Sequence, residues 1–122
     1  MANEITARGV LAFAKGDAAK FDEGEILATM TGTKWLEGRQ TVGTAEEALI
    51  LGEVPAGSAW LILRNRDAAN KVQIKPASGG VALIEVQAGE TAGPFRFASA
   101  VTAPFVQAVT AAVDISYLLV SA

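Results

Sequence analysis

The chain has 122 residues, 51% of them hydrophobic, and 13 acidic against 10 basic side chains give a net charge of −3. This length predicts one domain with a proper core. The scattered basic residues argue against a nucleic-acid partner, and no apolar run nears the roughly 18–20 residues of a membrane-spanning helix. Histidine and cysteine are absent. The usual general base, the thiol nucleophile, disulfides and the common zinc ligands are therefore missing, no phosphate-binding or nucleophile-elbow motif appears, and the expectation is a non-enzyme without cofactor or metal.

In chain order, MANEITARG (1–9) reads as an arm and not as a secretion signal: Glu4 stands where a leader carries positive charge. Gly9 loosens its join to the first alternating strand. Ile5, with little local apolar company, and Arg8 are candidate contact residues of this arm, because ordering it costs backbone entropy that a buried apolar group or ladder hydrogen bonds must offset. Within ITARGVLAFAK (5–15) the second half alternates, with Val10, Ala12 and Ala14 on one face and Leu11 and Phe13 on the other. GDAAKFDEGE (16–25) reads as a polar connection. EILATMTGT, EALILGE, AWLILRN, KVQIK, VALIEVQ, PFRF, PFVQAV and AAVDISYLLVSA come after it. Each is of strand length, most are rich in β-branched and aromatic residues, and each is bounded by Gly, Pro, Asn, Asp or Ser. No window carries a helical apolar stripe over three turns. The pattern predicts an all-β single domain over 1–122, a sandwich or a barrel.

Turn chemistry can be named at several joins. Asp67-Ala68-Ala69-Asn70 joins AWLILRN to KVQIK, read here as a paired hairpin, since Asp and Asn bond their own backbone. Gly79-Gly80 and Ala88-Gly89-Glu90 mark two further turns, and Pro104, which cannot donate to a ladder, marks a strand start or edge. Thr44-Ala45-Glu46-Glu47 fits a helix capping box, but Gly52 and Pro55 would stop such a helix within about two turns, so a bend at Gly43-Thr44 leading into the strand EALILGE is preferred. Glu46 and Glu47 then point to opposite faces as solvated charges, not as a catalytic pair. Asp22-Glu23-Gly24-Glu25 lacks calcium-loop spacing and reads as a solvated turn.

Three further residues are interface candidates. Arg64 and Arg66 share a face of one strand, with Lys71 and Lys75 expected across the turn; the group would meet an acidic partner or simply protect a sheet edge. Trp35, read in a polar glycine-flanked loop, is the better contact anchor, whereas Trp60 opens an apolar run and is expected in the core.

The segments TMTGTKWLEGRQTVGTAEEALILGEV, LRNRDAANKVQIK, VALIEVQAGETAGPFRF and AAVDISYLLVSA together resemble small structural proteins of tailed bacteriophage virions. The resemblance covers most of the chain after about residue 28 and contains no catalytic motif. It implies an antiparallel, jelly-roll-like β-sandwich and a capsid decoration (cement) protein on the virion surface. It further implies the major capsid protein as partner and a homo-oligomer, in this group often a trimer. An apolar surplus with no membrane segment agrees with burial between chains. The alternative is a tail, fibre or host-glycan-binding module that uses Trp35.

Overall fold

The computed structural model describes residues 4–30 and 32–121, and among them there is no helix. The N-terminal quarter folds as a bent ribbon. Strand β1 (Ile5–Arg8) pairs with β4 (Glu25–Ala28), and β2 (Leu11–Lys15) pairs with β3 (Asp17–Phe21). Gly16, at φ 74°, turns β2 into β3 in a conformation that side chains with a Cβ resist. GDAAKF is thus no connection: Ala18, Ala19 and Phe21 give it enough alternation to pair with β2 once Gly16 reverses the chain.

The remaining strands are β5 (Trp35–Val42), β6 (Glu47–Ala48), β7 (Trp60–Asn65), β8 (Val72–Lys75), β9 (Ile84–Val86), β10 (Thr91–Arg96), β11 (Phe105–Ala108) and β12 (Val113–Val120). They form two four-stranded antiparallel sheets: a front sheet in the order β10-β7-β12-β5 and a back sheet in the order β6-β11-β8-β9. The chain changes sheet at every connection from β5 onward except the β8–β9 hairpin. This is the eight-strand double Greek key of a jelly roll. The protein is therefore an all-β, antiparallel sandwich, as expected.

Alternation decides which side chains meet between the sheets. Val42, Leu61, Leu63, Ile115, Tyr117 and Leu119 point inward from the front sheet; Val72, Ile74, Val86, Val106 and Ala108 oppose them from the back. Fully burying each large aliphatic group contributes about 1.5–3 kcal/mol. Two polar side chains hold the sheets in step. Asn65 is fully buried; its Nδ2 donates to the carbonyls of Asn70 (2.9 Å) and Val86 (3.0 Å), and its Oδ1 accepts from Asp67 N (2.8 Å). Gln40 donates to Glu47 Oε1 and the Ala48 carbonyl and accepts from Ile50 N.

Several sequence expectations change here. AWLILRN and KVQIK do not pair: β7 lies inside the front sheet and β8 inside the back sheet, and the Asp67 turn carries the chain between layers. The Asx bonds are present, with Asp67 Oδ2 accepting from Ala69 N (3.0 Å) and Asn70 N (2.7 Å). A tight turn fixes local direction and leaves the partner strand open. EALILGE shrinks to the two residues of β6: Leu49 N still donates to the Pro104 carbonyl (3.0 Å), but beyond it side chains replace the ladder, with Gln40 taking Ile50 N and Tyr117 Oη donating to the Ile50 carbonyl (2.6 Å).

Gly38 lies directly opposite Tyr117, and a Cβ there would sit 2.9 Å from the Tyr117 ring. Gly38→Ala is expected to displace the ring from Ile50 and cost about 1–3 kcal/mol by overpacking. Asn65→Ala removes three hydrogen bonds at a buried position and is expected to cost roughly 2–4 kcal/mol. Urea denaturation of both variants measures this, and stability equal to wild type in either would refute the role assigned to that residue.

Candidate interaction surface

The outward face of the front sheet is built in rows by strand register. Trp35, Val120, Trp60 and Arg96 stand side by side in one row; Glu37, Leu118 and Ile62 form the next; Arg39, Ser116, Arg64 and Thr91 the third; Thr41 and Asp114 the fourth. The face thus runs from apolar to charged along the strands. Trp35 is 63% exposed, and Ile62 and Leu118 are more than a third exposed. Trp35 therefore opens strand β5 instead of sitting in a loop. Trp60 is not a core residue either: it points outward and lies under the Arg96 guanidinium, 5.5 Å from the ring centre. The parity of β7 explains this, since burying Leu61 and Leu63 sends Trp60, Ile62 and Arg64 to the opposite face.

Strand β1 lies against the apolar end of this face. Ile5 and Ala7 line a cleft of about 210 Å³ together with Trp60, Ile62, Pro94 and Leu118. Arg8 forms an ion pair with Asp22 (2.6 Å) and so braces the ribbon internally. Asp22 also accepts from Gly24 N, so this acidic turn is tied down and not merely solvated. The structure brings Ile5, Arg8, Trp35, Arg64 and Arg66 to the same side of the molecule. The expected grouping of Arg64 and Arg66 with Lys71 and Lys75 is not found. Lys71 pairs with Glu85 (3.0 Å) and Lys75 with Glu46 (3.0 Å) on the back sheet, while Arg64 and Arg66 gather with Arg39 around an open depression of about 620 Å³ that also takes in Glu37, Ser116 and Thr91. Arg66 Nε donates to Ser116 Oγ (3.0 Å). Among the described residues Arg39, Arg64 and Arg66 form no ion pair. Arg39 could not be singled out from the sequence because its neighbours across the sheet are Ser116 and Arg64, far from it in the chain.

The rest of the ribbon carries the most exposed apolar surface of the N-terminal part. All ten residues of β2 and β3 are exposed, among them Leu11 (77%), Phe13 (58%) and Phe21 (64%). Leu11 faces Phe21 across the pair and Phe13 faces Ala19, so these four share one face.

Glu46 and Glu47 part company, as expected for neighbours in an extended segment, but neither is simply solvated. Glu46 accepts from Lys75 Nζ, Ser78 Oγ (2.8 Å) and Gly79 N (2.8 Å), which ties the bend after β5 to the β8–β9 turn. Glu47 accepts from Gln40 Nε2 and Gly43 N. Three carboxylates are held below their ordinary pKa. Glu46 is lowered by the Lys75 bond first and then by Ser78 and Gly79, Asp67 by the Ala69 and Asn70 amides, and Glu85 by Gln73 and then Lys71. Burial pushes the Tyr117 phenol up. No group of three or more metal-ligating side chains occurs among the described residues. Comparison with protein-family models, with curated proteins and with solved structures finds no match to this chain.

The depressed carboxylates set a sign. A group whose pKa is lower in the folded state stabilises the fold above its unfolded pKa, and that contribution disappears as pH falls through the folded value. Stability is therefore expected to decline on acidification below the ordinary glutamate value of 4.5. Glu46→Gln should flatten part of that decline. Denaturation midpoints followed from neutral to strongly acidic pH check this, and an unchanged slope in Glu46→Gln would remove Glu46 from the account.

Proposed function

We propose that this protein is a structural component of a bacteriophage virion, a decoration protein that binds the assembled capsid shell and holds its subunits together. The observation that carries the reading is a sandwich that closes its own core yet leaves large apolar side chains exposed outside it, Leu11, Phe13 and Phe21 on the β2–β3 ribbon and Trp35 at one end of the front sheet. Apolar surface of this kind marks contact with other chains. A jelly roll is used by capsid proteins, though also by lectins and enzymes, so the fold supports the reading by analogy alone. The resemblance of the segments after residue 28 to phage virion proteins supplies the class of partner. In this role the chain needs no chemistry of bond making. Many weak contacts repeated over a lattice stabilise the bound form by mass action and multivalency.

A tail, fibre or glycan-binding role is the second reading, favoured by the exposed Trp35 ring with Glu37 and Arg39 after it on the same strand face, a platform on which a sugar could stack. The two readings separate in one experiment. Shells lacking decoration are mixed with the purified protein and sedimented, in parallel with glycan arrays and host cells. Retention on shells and a higher shell disruption temperature are expected. Absence from the shell pellet together with saturable glycan or cell binding would replace the first reading by the second.

A further inference from the structure

We infer that the β2–β3 ribbon of one copy docks, apolar face down, on the outer face of the front sheet of a second copy, with its Lys15–Gly16–Asp17 tip over Arg39 and Arg64. The inference does not depend on the capsid reading; it assigns to contact between copies the ribbon and sheet end that also carry that reading, and leaves the shell to the outer faces of the assembled oligomer.

A two-stranded ribbon is marginal in water, and this one has every residue of both strands exposed. Its two faces are unequal. One carries Leu11 and Phe21, then Phe13 and Ala19, then Lys15 and Asp17; the other carries Ala12, Ala14, Ala18 and Lys20. The first face is therefore apolar, apolar and then charged, in rows about 7 Å apart along the strands. The front sheet repeats that order at the same spacing: Trp35 with Val120, then Leu118 beside Glu37, then Arg39, Ser116 and Arg64. Laid in register, Leu11, Phe13 and Phe21 cover Trp35 and the exposed part of Leu118. Asp17 then reaches Arg39 and Arg64, and Lys15 reaches Glu37. Neither Arg39 nor Arg64 has an acidic partner within the described residues, and neither Lys15 nor Asp17 forms an ion pair there. The chain's own β1 shares its cleft with Trp60, Pro94, Leu118 and Val120, while Trp35, Glu37 and Arg39 on β5 are exposed and Leu118 keeps more than a third of its surface.

Area makes the exchange mutual. Aromatic side chains bury about 150–250 Å² each when fully covered, so Leu11, Phe13 and Phe21 at their present exposures offer roughly 300–400 Å². A copy that gives one ribbon and receives another buries about twice that, close to the ~800 Å² per partner of a stable interface. A pair or a closed ring satisfies this, because every copy then both gives and receives.

The chain has no cysteine, so two introduced thiols can report the contact. Full-length Asp17→Cys and Arg64→Cys chains are mixed and treated with a bismaleimide linker that spans about 10 Å, the spacing of two β layers packed face to face, because a direct disulfide needs Cα atoms within about 7 Å. A covalent dimer of one chain of each kind is expected. Placing Phe13→Ser and Phe21→Ser in the Asp17→Cys chain should abolish it, and in the otherwise native chain should weaken self-association about tenfold or more by sedimentation. Ala12→Ser with Ala14→Ser, on the opposite face of the ribbon, should change neither, and thermal melting checks that each sandwich remains folded. The inference is overturned if no mixed dimer forms, if the Phe13 and Phe21 changes leave association intact, or if the doubly substituted chain is cross-linked within itself at high dilution. It also fails if the native chain stays monomeric at hundreds of micromolar, about a thousandfold above a sub-micromolar Kd, or if the ribbon becomes protected from labelling only when capsid shells are added.

Discussion

The register of β12 is the constraint on which the other features rest. It pairs with β5 over eight residues and with β7 over six, at the centre of the front sheet. Val113, Ile115, Tyr117 and Leu119 face the core, so Asp114, Ser116, Leu118 and Val120 must face out. A slip of one residue would exchange the two sets, bury Asp114 and break the Tyr117–Ile50 bond that anchors the crossing segment after β6. The inward side is thus strongly specified. The outward side is set by what remains, and there the sequence departs from a solvated pattern: Leu118 and Val120 stand where a sheet facing only water would carry polar groups. That departure, joined by Trp35 and Ile62, makes the front face a candidate surface for contact.

Strand existence was legible along most of the chain. AWLILRN, KVQIK, PFVQAV and the final run each show alternation between punctuating residues, and each became a strand close to those limits. Partners were not legible. A jelly roll sends nearly every connection across to the opposite sheet, so adjacency in sequence predicts adjacency in space only for β2–β3 and β8–β9. The hairpin expected around Asp67 failed for that reason, although the Asx turn itself is present. Asn65 and Gln40, which tie the layers together, look in sequence like ordinary polar strand residues; only the positions of Val86, Glu47 and Ile50 reveal their work.

The candidate surface was half legible. Trp35, Arg64 and Arg66 were separable from their neighbours as exposed residue types, and Ile5 as an apolar group without company. Their convergence was hidden, because it depends on β5, β7 and β12 meeting in one sheet. Phe13 and Phe21 were hidden differently. Alternation around Phe13 reads as a strand, and nothing in the residues themselves says that this strand leaves the sandwich. The resemblance that suggested a virion role applies after about residue 28, so it did not bear on the ribbon at all.

The pairing order also sets the pace at which the molecule is made. In the front sheet β5 waits for β12, and β12 joins β7 and β5 across long stretches of chain, so no local hairpin can nucleate that layer. Domains dominated by such distant pairings fold in milliseconds to seconds, whereas a hairpin such as β2–β3 forms in microseconds. The ribbon therefore samples its shape many times while Leu61, Leu63 and Ile115 are still exposed to water. During that interval the chain shows its future core and its apolar ribbon together, and that is the period of greatest danger from aggregation.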